Sequence, residues 1–235
     1  MKKIALLFTL SLVGAGQMYG MEPKTKELEI YKSFSQIPEL QGEIINKALA
    51  VSDNIDEAIE MLKKFSIVHG IEFNKLFANL KDLTNLVHIL ANRFNTSNHE
   101  WIAHKIGTPI ADQYLKLSRE LVSTVNSFQK TEEILAKVKA LLSQGADPNF
   151  NRQALDNVFR SIDTYNPEED VKGVKQIVQL LLAYGAIPSE FEMYHVKSGS
   201  YLSSLKSGEK GRMLGQVLDD QVNEIKQMLE NAMKK

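Results

Sequence analysis

The chain has 235 residues, 43% of them hydrophobic, with 28 basic against 29 acidic side chains and no cysteine. That length holds one elongated domain or two small ones. The near-neutral charge offers no basic footprint for nucleic acid, and the lack of cysteine excludes a disulfide framework, a lipid-attachment cysteine and a thiolate zinc site.

At the N-terminus, Lys2 and Lys3 precede an apolar run over residues 4–13 and the small residues Gly14, Ala15 and Gly16. A basic start, a short apolar stretch and small residues make the pattern of a secretory signal peptide. Residues 1–20 are assigned to it, with cleavage after Val13-Gly14-Ala15 or, as a second choice, Met18-Tyr19-Gly20. The run is short for a bilayer span. No later segment is long and apolar enough, so the expected product is an exported chain without a stable membrane span. Its destination is the periplasm, the medium or a host cell. Loss of Lys2 and Lys3 leaves 26 basic against 29 acidic side chains.

Helix then follows helix. Pro38 to Val51 is amphipathic through Leu40, Ile44, Ile45, Ala48 and Leu49. Asn54, with Glu57 three residues on, reads as a helix cap; the helix it opens runs through Ile55, Ala58, Ile59, Leu62 and Phe65 to a stop at His69-Gly70. Further helices are expected over 73–80, 83–94, 98–106, 108–128 and 131–143. A last one follows Gly208, with Leu214, Leu218, Val222, Ile225 and Leu229 on one stripe. No strand ladder is visible, so the chain reads as all-α. Residues 24–106 form an N-terminal helical region.

Two stretches forty residues apart match each other. One is Leu141-Leu142-Ser143-Gln144-Gly145-Ala146-Asp147-Pro148-Asn149, the other Leu181-Leu182-Ala183-Tyr184-Gly185-Ala186-Ile187-Pro188. Each is an apolar helix closed by a glycine that can turn left-handed and a proline that stops the helix from resuming. A repeated helix, stop and sharp exit make stackable layers.

These residues resemble the ankyrin repeat, whose second helix ends in Leu-Leu-x-x-Gly-Ala-Asp-x-Asn. Leu141 to Asn149 reads so in full; the second stretch has Ile187 in place of Asp. The family's Thr-Pro-Leu-His start is matched weakly by Gln153-Ala154-Leu155-Asp156 and by Thr108-Pro109-Ile110-Ala111. The period departs from the usual one of about 33, and the surplus falls in the polar loop 163–170. The resemblance implies a short solenoid of degenerate ankyrin-like helix pairs over 107–195, with 196–235 as a capping helical region. It also implies a protein partner, of unknown identity, bound at the turn tips and the concave helix face. On this chain those positions are Asp147, Asn149, Phe150, Asn151, Arg152, Asp156, Arg160, Ile187 and Glu190. Phe150 is either a contact residue or a staple onto the next layer. The layout of export signal, helices and degenerate repeats is similar to exported ankyrin proteins of bacteria that live inside other cells.

Other motifs are weaker. Ile37-Pro38-Glu39-Leu40 is similar to the opening of an F-box, one residue short between Pro and Leu, which implies an alternative role as an adaptor for a ubiquitin-ligase scaffold; an ordinary proline-started helix is the preferred explanation. His99 and His104 frame a zincin-like stretch but stand five apart, which splays them by about 140° on a helix. Trp101 between them is expected in the core or as a cap of the stack. Ser203-Ser204-Leu205-Lys206 matches the Ser-x-x-Lys of penicillin-binding enzymes, with Ser52-Asp53-Asn54 and Lys206-Ser207-Gly208 as partial companions in the wrong order. A secreted hydrolase with an unrecognised site is the remaining alternative. Gly199, Gly208 and Gly211 do not give a phosphate loop and read as a turn. Asn95-Thr96-Ser97 reads as a polar turn, and Glu168-Glu169-Asp170 as a solvated first helical turn. The expectation is a non-enzymatic interaction module with no catalytic residue, cofactor or metal.

Overall fold

The computed structural model of the chain describes residues 38–77, 79–127, 131–160, 163 and 165–234. The expected signal peptide, residues 1–20, lies outside the described residues, as does Ile37 of the F-box-like stretch. Among the described residues the structure is all-α, with no strand. The helices are α1 (Pro38–Val51), α2 (Ile55–Val68), α3 (Leu80–Arg93), α4 (His99–Ile106), α5 (Pro109–Val125), α6 (Glu132–Ser143), α7 (Gln153–Arg160), α8 (Pro167–Ala183), α9 (Glu190–Lys197), α10 (Ser200–Leu205) and α11 (Glu209–Met233).

Short polar side chains set most of the starts. Asn54, Asn79, Asn98, Thr108 and Thr131 each accept an N–H three residues on, at 2.9, 3.0, 2.9, 3.3 and 3.4 Å. Each removes one of the unpaired donors that begin a helix. Glu57 returns its carboxylate to the Asp53 N–H at 2.8 Å. Pro109 occupies the first turn behind Thr108, where its missing N–H costs nothing. The expected helix over 73–80 is instead a 3-10 turn, Phe73–Leu76, because Asn79 caps a new helix just beyond it.

The two matched stretches fold alike. The Ala146 N–H reaches Leu141 O at 3.0 Å and the Gly145 N–H reaches Leu142 O at 3.0 Å; Ala186 and Gly185 repeat the pair on Leu181 and Leu182 at 2.9 and 3.1 Å. This is the Schellman closure of a helix C-terminus. It needs a positive φ, which Gly145 supplies at 98° and Gly185 at 90°.

Behind these turns the helices stack in two layers. First helices α5, α7 and α9 pack in succession, as do second helices α6, α8 and α11, and each pair packs on itself: α5 on α6, α7 on α8, α9 on α11. α8 shows why the layers hold. Val174, Ile177, Val178 and Leu181 are all buried on one stripe, each contributing roughly 1.5–3 kcal/mol of burial. α11 closes the second layer with Leu218, Val222, Ile225 and Leu229. Its backbone breaks at Gly215 (φ 12°, ψ −88°).

The N-terminal helices form a second core, with α1 on α2, α2 on α4, and α3 and α4 on α5. The apolar side of α1 is turned inward: Ile44 and Ala48 are buried in this core. Helix α5 serves both cores. Ala111, Tyr114 and Leu115 face the N-terminal one, while Leu117, Leu121 and Val125 face the stack. The seam between the two regions therefore runs along α5 rather than before it at 106.

Three expectations change. Trp101 is neither core nor cap: it is 37% exposed, because the buried stripe of α4 is His99, Ile102, Ala103 and Ile106. Asp170 is not solvated; it is 3% exposed beside Tyr201, whose hydroxyl is pushed up by burial and by that carboxylate. The stretch between Gly199 and Gly211 is not all turn, since α10 lies within it. Asn95 does form the expected turn, at φ 50°.

Candidate functional site

The seam is organised around one carboxylate. Asp147, in the first Gly-Ala turn, has a fully buried side chain. Its Oδ2 accepts from the Tyr114 hydroxyl of α5 at 2.7 Å and lies 3.0 Å from His88 Nε2 of α3 and 3.1 Å from His99 Nδ1 of α4. Its Oδ1 accepts the Asn149 N–H at 2.8 Å, and its own N–H donates to Ser118 Oγ at 3.0 Å. Three elements of the N-terminal core thus converge on a turn of the stack.

Burial alone would raise the Asp147 carboxyl. Hydrogen bonds with His88 and His99, the carboxylate's charge interaction with His88 and the Tyr114 hydroxyl overcome it and hold the group far below the usual carboxylate range. The same burial, with the carboxylate beside it, pushes the Tyr114 hydroxyl far up, so it remains a donor. The two imidazoles lie 4.9 Å apart between ring centroids, tilted by 41°. His88, with 27% of its side chain exposed, opens onto a groove of about 450 Å³ between α3 and the two turns, which Asp147, Asn149, Tyr184 and Ile187 also line.

The nine expected contact positions divide. Asp147 and Phe150 are interior, at 0% and 1% exposure, so neither belongs to a contact surface. Phe150 is the staple, its ring edge-on to Tyr114 at 5.8 Å. Asn149 spends its amide between the turns: Nδ2 donates to Gly185 O at 2.9 Å, and Oδ1 accepts the Ile187 N–H at 2.7 Å. Asn151, held at φ 51°, pins the start of α4 by accepting the Glu100 N–H and donating to Glu100 Oε2, both at 3.2 Å. Arg152, Asp156, Arg160, Ile187 and Glu190 keep solvent access.

Asp156, Arg160 and Glu190 sit near the exposed aromatics of α9, Phe191 and Tyr194, which spacing did not single out. The Arg160 guanidinium pairs with Asp156 at 2.6 Å and lies over the Phe191 ring, 5.8 Å from its centroid. Phe191 is 46% exposed, Tyr194 65% and Ile187 72%. A sequence signal was present: Phe191 and Tyr194 alternate with the inward Met193 and Val196.

The weaker motifs resolve into local structure. Asn54 caps α2. His99 and His104 turn to different partners, Asp147 and the Arg119 guanidinium, the latter at 3.1 Å. Lys206 Nζ pairs with Asp219 Oδ1 at 2.7 Å, and Ser203 is exposed. Neither His88 nor Tyr114 was singled out from sequence, because nothing local marks a partner 59 or 33 positions away.

No family model matches the chain, and no curated protein or solved structure gives a significant match to it.

Proposed function

We propose that the chain is a non-enzymatic, exported protein-binding module: a degenerate ankyrin-type stack that engages a protein partner along the exposed side of its first helices α7 and α9. The observation that carries this reading is the grouping of Arg160 over Phe191, with the exposed Tyr194 one turn further along α9. Arginine and aromatic side chains dominate the binding energy of protein interfaces, and Phe191 and Tyr194 leave large apolar area in water. The matched Gly-Ala closures and the two-layer stacking support the ankyrin-type reading, since stacked helix pairs build extended binding surfaces. The basic, apolar and small-residue start supports export, and the bacterial parallel rests on that layout.

The test is affinity capture with the tag-free mature chain and with the Phe191→Ala/Tyr194→Ser double variant. The reading expects a partner that saturates on the parent protein and is lost on the variant. A partner retained equally by both, or no saturable partner, contradicts it.

A further inference from the structure

We propose that His88, His99 and Asp147 form a binding site for one divalent transition-metal ion of the zinc class, at the seam between the N-terminal core and the helical stack. Their ligand atoms, His88 Nε2, His99 Nδ1 and Asp147 Oδ2, all lie within 4.8 Å of one another. Two imidazoles and one carboxylate are a donor set that suits zinc and its neighbours.

Counting lone pairs favours an ion over a purely hydrogen-bonded cluster. A carboxylate offers about four acceptor sites over two oxygens, about two on each. Oδ1 uses one for the Asn149 N–H. Oδ2 faces three groups at hydrogen-bond distance: Tyr114, His88 and His99. Three groups crowd one oxygen that has room for about two, although the site is buried and such a mismatch is costly. With an ion between the two imidazoles and Oδ2, the count closes. Oδ2 gives one pair to the metal and one to the Tyr114 O–H. Each imidazole gives the lone pair of its facing nitrogen to the ion and keeps an N–H on the other ring nitrogen.

Two of the three separations fit with little movement, and the third, between His88 Nε2 and His99 Nδ1, lies within 4.8 Å and closes by rotation of the partly exposed His88 ring. In a tetrahedral zinc site with bonds of about 2.0–2.2 Å, neighbouring ligand atoms stand about 3.3 Å apart. The two nitrogen–Oδ2 separations are 3.0 and 3.1 Å, so each needs to open by only a few tenths of an ångström. The outer partners are of the kind that orient a ligating carboxylate: the Tyr114 O–H on Oδ2 and the Asn149 N–H on Oδ1, which leaves Asp147 a single-oxygen ligand. The groove beside His88 and Asp147 gives solvent access, and with three protein ligands the fourth position falls to water. Because the ligands come from α3, α4 and the turn after α6, the bound ion ties the two cores together. This inference is independent of the α7/α9 surface; its failure leaves that reading untouched.

The experiment is titration of the tag-free, chelator-treated chain with Zn²⁺ by calorimetry, and with Co²⁺ by visible absorption. The parent protein should take up one equivalent of each, show the intense absorption of four-coordinate Co²⁺, and melt at a higher temperature with Zn²⁺ present. His88→Gln, at the most exposed ligand, should weaken uptake more than the about 10–100-fold that loss of an outer partner costs. Tyr114→Phe should fall within that range, and His104→Gln should bind as the parent does. No stoichiometric uptake by the parent overturns the proposal, whatever the variants do. So does uptake that survives His88→Gln in a folded protein.

Discussion

The Tyr114 hydroxyl donates to Oδ2 of Asp147 at 2.7 Å, across 33 positions of sequence. One residue belongs to the N-terminal core and the other to a turn of the stack, so this bond couples the two halves. Tyr114→Phe keeps the ring against Phe150 and removes only the donor. A hydrogen bond to a charged group contributes about 1.5–3 kcal/mol. Urea unfolding of the variant should show a loss of that size. A loss below about 0.5 kcal/mol, the scatter of neutral surface changes, would mean the bond couples nothing.

Asp147 also gives stability a sign in pH. Its folded carboxyl is held below the ordinary range, so its contribution is fully present above the unfolded value, about 3.9. That contribution is lost as pH falls from there through the folded value. Unfolding free energy should fall more steeply below about pH 4 in the parent than in Asp147→Asn, which has no carboxyl to protonate at that position. Parallel slopes in urea unfolding at acid and neutral pH would contradict the assignment.

The two Gly-Ala turns share a conformation but not a neighbourhood. A Cβ at Gly145 would stand 3.1 Å from Leu80 Cβ, while one at Gly185 meets nothing within 4 Å. Gly185→Ala carries only the strain of a left-handed backbone, about 1–2 kcal/mol. Gly145→Ala carries that strain plus a clash with α3, and should cost about 1–3 kcal/mol more. Thermal unfolding of the two variants compares them directly; equal losses would show that Leu80 yields freely.

What the sequence made legible was local. Asn54 announced its helix because a cap needs only a neighbour three residues away. The Gly145 and Gly185 closures were readable for the same reason. The role of Asp147 was not. A polar residue in a turn motif reads as surface, and its burial depends on His88 and Tyr114, which no spacing connects to it. The interlayer bonds of Asn149 and Asn151 were not legible either, because their partners, Gly185, Ile187 and Glu100, belong to other layers. Two misses were readable after all. Trp101 sits off the His99, Ile102, Ala103, Ile106 stripe, and Asp170 sits on the stripe of Pro167, Val171 and Val174. Helical period alone places the first outside and the second inside.

The central claim is that the side formed by α7 and α9 is the one that binds. The most direct measurement is the affinity of the captured partner for Arg160→Ala and Phe191→Ala beside Met213→Ser, a control at 83% exposure on α11. Each of the first two should weaken binding by about tenfold or more, the effect of losing over about 1.4 kcal/mol, with Met213→Ser unchanged. Weakening by Met213→Ser alone, with Arg160→Ala and Phe191→Ala binding as the parent does, would contradict the account.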